Sequence, residues 1–354
     1  MSENSNGMWN NVILVAIFIV SIYLLDRSHN NNSYLLLKHE LKFLSERKWS
    51  DVKIKNIEIA NKTGKLLDPT ESLCPKIKLI PKSYQHPYTA LASFMGSGNT
   101  WTRHLLQLYT GFSTGSLYND HTISKNSDLN KLSHPLKQKY CQSHKYSEYI
   151  AIKNHRWPEY WSKKEKLFLY PGQNCEFKKV LLLVRNPFDA AVSEYKRRHS
   201  RKSGVANAHT TVVTKDDFLE KWGSYRWTLF QKNSISHWLK MIENWTNVNN
   251  TGLAGENIYP ICYESLKDRP VQLLKEIVEF LGFTKSSIEL HENCVLQNLE
   301  GQFHRKPSFF NYEVYNNQTI LLYKKAILKA KKLFMDRGLI DCTEYFDLSG
   351  YTGR

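Results

Sequence analysis

The sequence lacks the residue groupings that several common kinds of functional site require. Six of its 354 residues are cysteines, and they form no CxxC pair or Cys/His cluster with the spacing of zinc ligands, so we expect no metal site. Acidic residues are scarce, 33 against 49 Lys and Arg, which leaves a formal net charge of +16. This balance favours an anionic partner. Because no basic run is interleaved with aromatic residues, we expect that partner not to be nucleic acid.

The N-terminal region lacks positive charge and a leader cleavage site. Residues 1–11 contain no Lys or Arg, and the uncharged apolar run at 12–25 is followed by no Ala-x-Ala. A cleaved signal peptide needs both features. The run is shorter than the roughly 20 residues of a full span, but it suits a thin secretory-pathway membrane. We therefore predict a cytoplasmic tail at 1–11 and a transmembrane signal-anchor at 12–25, with a cleaved signal peptide as the alternative.

Two further features favour a lumenal location for the rest of the chain, which makes it a single-pass type II protein. Several asparagines have Ser or Thr two residues on, the pattern of glycosylation acceptors; they are Asn31, Asn61, Asn244, Asn249 and Asn317. The even number of cysteines suits disulfide bonds in an oxidising compartment. Cys262 lies in an apolar run, however, and a buried thiol is the alternative there.

The remaining chain divides into a polar segment and a globular part. Residues 26–86 are rich in Asn, Lys and Ser and predict a lumenal stem, and 87–354 predict the globular domain. Apolar runs at 88–94, 149–153, 179–184 and 258–262 predict buried strands, and periodic patterns at 100–109, 187–199, 234–245, 269–281 and 318–336 predict helices. Apolar strands alternating with helices are typical of a parallel sheet covered on both faces, a three-layer α/β/α fold. Ligands bind such folds beyond the carboxyl ends of the strands.

The segment after the first predicted strand has the composition of a phosphate loop. Gly96, Ser97, Gly98 and Asn99 form a tight turn, and Thr100 opens a helix. A strand, a Gly/Ser loop and a helix N-terminus aim free N–H groups and a positive dipole end at one point. The Lys of a nucleotide-hydrolase loop is missing, since Asn99 and Thr100 follow Gly98. The loop therefore predicts an anion cradle but not an ATP or GTP hydrolase.

Charged and polar residues follow the other predicted strands. Lys153 and His155 stand at the tip of the second strand, and Arg185 stands at the tip of the third. Pro187 opens the next helix, which carries Ser193 on the same side as Asp189. Because parallel strands end at one edge of a sheet, we expect these residues to share a site with the loop.

This set of motifs resembles the sulfotransferase family. The family's 5′-phosphosulfate loop, Y-P-x-S-G-x-T-W, corresponds to residues 94–101, and its 3′-phosphate element, R-N-P-x-D-x-x-V-S-x-Y, is complete at 185–195. Residues 153–155 are similar to the family's K-T-H, and the Tyr-Glu-x-Leu pattern recurs at 263–266. The residues at 96–105 and 110–116 are similar to the WSC-domain-containing sialate O-sulfotransferases, although the stem has no room for WSC modules.

The resemblance implies a P-loop-like phosphosulfate-binding loop and the co-substrate PAPS (3′-phosphoadenylyl sulfate), with no metal requirement. It also implies a Golgi membrane location and a glycan or glycoconjugate acceptor, with sialylated glycans among the candidates. It implies that His155 accepts the proton of the acceptor hydroxyl and that Lys153 supplies charge beside it. Trp101 would stack on the adenine. The implied donor-binding residues are Gly96, Ser97, Gly98, Asn99, Thr100, Trp101, Thr102, Arg103, Arg185, Ser193, Arg305 and Lys306.

One departure from the family pattern concerns the leaving group. Many members have a Lys where this chain has Gly96, and Lys153 or Arg103 would have to supply that charge. Two alternatives stand beside the enzyme hypothesis. One is a non-catalytic lumenal protein that binds PAP or anionic glycans. The other is a P-loop kinase, which would need a loop Lys and Mg²⁺ ligands that the sequence does not offer.

Overall fold

The computed structural model describes residues 74–81, 84, 86–118, 148–156, 177–202, 214–219, 223–247, 255–284, 287–300 and 311–351. The predicted tail, the anchor at 12–25 and most of the stem lie outside these residues, as do Arg305 and Lys306. The domain boundaries therefore stay predictions. Among the helices that are described, none combines the length and apolar character needed to cross a membrane.

The described strands form one parallel sheet. Its members are β1 (Thr89–Ser93), β2 (Gly115–Ser116), β3 (Ile152–Asn154), β4 (Lys179–Val184) and β5 (Ile258–Cys262), in the order β2-β3-β1-β4-β5. All four pairings are parallel, and β1 lies at the centre between β3 and β4. The chain leaves β1 for one side of the sheet and returns from β3 to the other side, so β1 ends at a topological switch point. The predicted α/β fold with a central parallel sheet is confirmed.

Helices follow the strands and cover the sheet. They are α1 (Asn99–Thr110), α2 (Pro187–Lys202), α3 (Asp216–Leu219), α4 (Gly223–Thr246), α5 (Tyr263–Asp268), α6 (Pro270–Phe280), α7 (Glu292–Gln297) and α8 (Asn317–Asp336). Side chains alternate between the two faces of each strand. Ala90 and Leu182 join the core beneath α2, α4 and α8, whereas Leu91 and Leu181 join the core beneath α1 and α6. This gives three layers.

Two element bounds differ from the sequence prediction for identifiable reasons. Helix α4 begins at Gly223 rather than at residue 234, because its early buried face contains Gln231, which interrupts the apolar pattern. Gln231 Nε2 donates there to the Val314 carbonyl at 3.2 Å. Strand β3 is only three residues long and begins at Ile152, because its ladder with β1 covers three residues and its ladder with β2 only two.

Within the described residues, two disulfides tie distant segments to the sheet. The Cys74–Cys294 disulfide anchors the described part of the predicted stem. In this part Ile80 is 2% exposed, and Lys78 forms a parallel bridge with Phe112. Cys262–Cys342 joins the end of β5 to the C-terminal segment. The buried-thiol alternative for Cys262 is therefore wrong. Cys141 and Cys175 lie outside the described residues.

Candidate anion-binding site

The sequence-predicted residues gather at the carboxyl edge of the sheet. His155 follows β3, the Gly/Ser loop follows β1, Arg185 follows β4 and Tyr263 follows β5. These four strands are neighbours in the order β3-β1-β4-β5. Since all are parallel, their ends form one crevice, the usual ligand-binding position of such folds.

The loop between β1 and α1 has the backbone geometry of an anion cradle. Gly96 and Gly98 adopt left-handed φ angles of 83° and 93°, which favour glycine. No side chain caps α1 and no acidic residue lies in its first turn; its first helical bond runs from Thr102 N to Gly98 O. The earlier N–H groups therefore lack helical acceptors. The Ser97 hydroxyl is buried and has no hydrogen-bond partner among the described residues.

Gly96 brings the loop against helix α2. A Cβ at this position would lie 2.2 Å from the Ala190 carbonyl oxygen and 3.0 Å from the Glu194 nitrogen. Arg185 Nη1 donates a hydrogen bond of 3.0 Å to the Gly96 carbonyl. The two predicted phosphate-recognition elements are therefore in direct contact. This packing also explains the absence of a Lys at position 96, because any side chain there would collide with the α2 backbone.

Arg185 is held by aromatic residues as well as by the loop. Its guanidinium carbon lies 4.3 Å from the centre of the Tyr263 ring, a cation–π distance. Trp238 Nε1 donates to the Arg185 carbonyl at 3.0 Å. Arg185 Nε is buried without a partner among the described residues. The same Tyr263 ring lies against Gly98, where a Cβ would approach it to 2.5 Å, so one tyrosine packs on both recognition elements.

His155 is connected to the loop through the end of β1. Its Nδ1 lies 2.9 Å from the Ser93 carbonyl oxygen and 3.2 Å from the Ser93 hydroxyl. A carbonyl only accepts, so Nδ1 carries the proton, and in the neutral ring Nε2 is the basic nitrogen. Asn99 Nδ2 donates to the same Ser93 hydroxyl at 3.0 Å. The chain His155–Ser93–Asn99 therefore aligns the candidate base with the first residue of α1.

Tyr118 joins Lys153 to His155. Its ring stacks on His155 with centroids 5.5 Å apart, and Lys153 Nζ lies 5.9 Å from the same ring centre. The Tyr118 hydroxyl accepts the His155 backbone N–H at 2.9 Å. Lys153 is 6% exposed and lies two residues before His155 in the chain. The structure therefore brings the two predicted catalytic residues together.

Other predicted residues have internal partners. The Arg103 guanidinium is 1% exposed and donates to the Thr114 hydroxyl at 2.9 Å. The Thr102 hydroxyl donates to the Gly98 carbonyl at 3.2 Å. Trp101 Nε1 donates to the Leu299 carbonyl at 2.6 Å, and its ring packs edge-on against Tyr263 at 5.4 Å. These three residues brace the start of α1 from inside the fold.

Four predicted residues remain to be placed. Thr100 lies in the first turn of α1 and Ser193 lies on α2, and both are partly exposed. Arg305 and Lys306 lie outside the described residues, and their assignment to the site stays a prediction. In the parts of the chain that are described, no group of three or more His, Cys, Asp or Glu side chains has the arrangement of a metal site.

The side chain of Glu194 organises the cationic end of α2. It is fully buried and contacts Arg197 and Arg198 at 2.7 Å each. Burial alone would raise its pKa, but hydrogen bonds and charge from Arg197 and Arg198 outweigh burial and lower the pKa. The glutamate therefore stays ionised and holds both guanidinium groups, of which that of Arg198 reaches the loop residue Met95 with Nη2 4.0 Å from its Sδ.

The sequence motifs give little indication of several residues that contribute contacts to the site. Tyr118 belongs to none of the sequence motifs, although it contacts both His155 and Lys153. Tyr263 lies in the Tyr-Glu-x-Leu pattern, and Ser93 belongs to none of the predicted site residues. The usable signal was position: Ser93 and Tyr263 directly adjoin the carboxyl ends of β1 and β5, where ligand-contacting residues collect.

Comparisons with known proteins point to one family. Residues 87–342 match the family model described as "Sulfotransferase domain". A WSCD family member of Drosophila melanogaster is 32% identical over 228 residues, which cover 64% of this chain and 60% of the relative. A WSCD family member of Aedes aegypti is 30% identical over 229 residues, with the same coverage. The chain thus spans about 60% of the length of these curated relatives.

Two solved structures are similar over most of the chain. The sulfotransferase of Alicyclobacillus acidocaldarius has a TM-score of 0.41 and 14% identity, and covers 76% of this chain and 99% of its own. A mouse sulfotransferase complexed with PAP has a TM-score of 0.44 and 16% identity, and covers 73% of this chain and 88% of its own. The family model accounts for residues 87–342, which is most of the chain and includes every described residue of the site. The chain therefore belongs to the sulfotransferase family.

Proposed function

We propose that this chain transfers a sulfuryl group from PAPS to a hydroxyl group of a glycan, with a sialic acid as the preferred acceptor. The observation that carries the proposal is the contact between Arg185 Nη1 and the Gly96 carbonyl at 3.0 Å. It joins the loop suited to a 5′-phosphosulfate to the arginine suited to a 3′-phosphate. A donor with phosphates at both positions fits this pairing, whereas a nucleotide triphosphate leaves the arginine unused.

The described residues fit such a donor. The Ser97 hydroxyl and Arg185 Nε are buried polar atoms without partners in the described structure, and an unmet buried donor is costly unless a ligand satisfies it. Both lie on the two elements that would hold phosphates. Guanidinium groups bind phosphate oxygens through paired hydrogen bonds, and the uncapped start of α1 adds N–H donors and a positive dipole end.

His155 is the residue we assign to proton transfer. PAPS, when bound, supplies an activated sulfuryl group attached to a stable leaving phosphate. The acceptor oxygen forms the new S–O bond while the bond to the leaving phosphate breaks, and the acceptor proton passes to His155 Nε2. Ser93 holds Nδ1 in its protonated form, so the basic nitrogen has one defined position. General base catalysis of this type contributes about 10²- to 10⁴-fold in rate.

Lys153 is the better candidate for the charge that Gly96 cannot supply. Arg103 is committed to Thr114 and is 1% exposed, whereas Lys153 lies beside His155 on the Tyr118 ring. A cation near the leaving oxygen stabilises charge that develops during the transfer. We therefore assign this role to Lys153.

Different observations support the proposed acceptor and the proposed cellular compartment. The resemblance of residues 96–105 and 110–116 to the sialate O-sulfotransferases favours a sialylated acceptor, and the net charge of +16 suits an anionic one. The disulfides Cys74–Cys294 and Cys262–Cys342 suit an oxidising lumen. Together with the apolar run at 12–25, they support a type II protein of the Golgi membrane.

The direct test is sulfate transfer from labelled PAPS to matched glycans with and without terminal sialic acid. We expect label on the sialylated glycans and none with the folded His155→Asn variant. Label on neutral glycans alone would overturn the acceptor assignment. If no glycan is labelled while PAP still binds, the chain is instead a non-catalytic binder of PAP. Absence of PAP binding would overturn the donor site itself.

A further inference from the structure

A buried carboxyl group beside Arg185 has no role in the transfer described above. Glu264 is the second residue of α5, directly after Tyr263, and its Oε1 accepts a hydrogen bond of 2.9 Å from the Asn186 backbone N–H. Its Oε2 is buried and has no hydrogen-bond partner among the described residues. The carboxyl group is therefore hydrogen-bonded through Oε1 to the residue that follows Arg185, whereas Oε2 remains available for a proton or a further hydrogen bond.

The groups around Glu264 act on its charge in opposite directions. Arg185, at the end of β4, favours the carboxylate, and Asp189 on α2 opposes it. The C-terminal segment adds Asp347, whose backbone carbonyl accepts from Asn186 Nδ2 at 3.2 Å, and the Tyr351 phenol, which is hydrogen-bonded to Asp189. Among the described residues, Arg185 is the cation whose charge acts on this carboxyl group, and a phosphate bound to Arg185 would offset that charge.

From this geometry we propose that Glu264 is a positioning residue that takes up a proton when a phosphate dianion binds Arg185. The inference rests on the proposed donor site. In the empty site the carboxylate partly balances the Arg185 charge and accepts from Asn186 N–H. When the dianion arrives, its negative charge would offset the Arg185 charge and add to that of Asp189, which already disfavours the carboxylate. Protonation of Oε2 removes that repulsion and leaves the Asn186 hydrogen bond on Oε1 intact.

The protonation equilibrium of Glu264 lies near neutral pH, where it can couple proton uptake to phosphate binding. Burial raises the pKa of Glu264 to about 7, against smaller downward effects of the Asn186 N–H, its own backbone N–H and Arg185. Neutralising Arg185 and adding phosphate charge both move this pKa further up. A rise of one pKa unit on binding corresponds to an uptake of about half a proton at a pH midway between the two pKa values.

The test is calorimetric titration of the full chain with PAP at pH 7.5 in two buffers of different ionisation enthalpy. We expect net proton uptake in the wild-type protein that is larger by about half a proton than in Glu264→Gln. Glutamine keeps an acceptor for Asn186 N–H but cannot titrate, and the variant comparison cancels protons exchanged by PAP itself. Glu279→Gln, an exposed carboxylate with 58% of its side chain accessible, is the matched control and should behave as wild type.

A pH series gives the second readout. From pH 6.5 to pH 8.5 the Kd of wild type for PAP should rise relative to that of Glu264→Gln, by up to tenfold for each unit of pKa displacement. Equal proton uptake or parallel pH profiles in both proteins would overturn the inference while leaving the donor site standing. If wild type does not bind PAP, the proposed function fails instead.

The inference stays testable if Glu264→Gln does not fold. Infrared difference spectra of wild type with and without PAP then decide, because a protonated carboxylic acid has its own carbonyl band. Growth of that band on PAP addition, and its displacement in Glu264→Asp, would support the coupling. A PAP-saturated protein without such a band would overturn it.

Discussion

At Gly96 the backbone has a φ of 83°, and a Cβ atom would lie 2.2 Å from the Ala190 carbonyl oxygen. The residue type is thus determined by helix α2 and not by the loop alone. The same position carries a Lys in many sulfotransferases, so the local chemistry must be arranged differently here. Lys153, beside His155 on the Tyr118 ring, is placed to compensate.

A first prediction at this scale compares two glycines with similar backbone angles. Gly282 has a φ of 93° but open space around its Cβ position. Gly96→Ala and Gly282→Ala both incur left-handed strain of about 1–2 kcal/mol, but only Gly96→Ala adds overpacking of about 1–3 kcal/mol. Urea denaturation should show this difference, and PAP affinity should fall in Gly96→Ala alone. Equal PAP affinity in the two variants would contradict the proposed contact between loop and helix.

A second prediction concerns His155. His155→Asn should lower kcat by about 10²- to 10⁴-fold, because the general base is lost. PAP affinity should stay within about twofold of wild type, since the ring is bonded to Ser93 and no donor-binding residue is removed. The measurement is steady-state transfer from labelled PAPS together with PAP titration. A variant that keeps its kcat would exclude His155 as the base.

The sequence predicts the bounds of helices and strands best where their apolar patterns are long. Strand β4 matches its predicted bounds, and α8 begins one residue early, because burial on both faces or along one stripe leaves a clear period. Strand β2 and helix α7 were missed, since two residues and six residues are too short for a period. The site followed the same rule: Gly96 and Arg185 belong to motifs, whereas Tyr118 and Ser93 act through contacts that only the folded sheet creates.

The Cys262–Cys342 disulfide gives a prediction for the C-terminal segment. Cys262 directly precedes Tyr263, and the segment beyond Cys342 reaches Asn186 through the Asp347 carbonyl at 3.2 Å. Replacing Cys262 and Cys342 by alanine should lower the free energy of unfolding by about 2–5 kcal/mol. It should also weaken PAP binding at temperatures where the protein stays folded. The comparison is Cys74→Ala/Cys294→Ala, which loses a tie of similar kind. Unchanged PAP affinity without Cys262–Cys342 would show that the segment does not support the site.

Across the whole domain, the packing of the segment before β1 predicts a dependence of stability on pH. His86 is 7% exposed, stacks on Phe283 at 5.1 Å and shares a hydrogen bond of 2.9 Å with the Ile150 carbonyl. Burial lowers its pKa to about 4. The neutral ring therefore stabilises the fold fully above pH 6.5, and this contribution is lost as the pH falls towards 4.

The expected size can be measured by urea denaturation at pH 7.5 and pH 5. Between these values the His86 contribution should fall by about 2 kcal/mol. His86→Phe keeps an aromatic ring against Phe283 but does not titrate, so its stability should change less over the same range. The comparison of pH slopes separates His86 from other titrating groups such as Glu264, whose raised pKa acts in the opposite direction. Identical slopes would show that His86 is not buried in its neutral form.

The central claim for the molecule is that the β1–α1 loop and Arg185 form one site for a nucleotide with both 5′- and 3′-phosphates. The most direct measurement is calorimetric titration of wild type and of Arg185→Ala, shown to be folded by its melting curve, with PAP and with adenosine 5′-phosphate. Wild type should bind PAP at least about tenfold more tightly, and Arg185→Ala should lose that preference, since a charged hydrogen bond contributes about 1.5–3 kcal/mol. A folded Arg185→Ala protein that still prefers PAP as strongly as wild type would contradict the account.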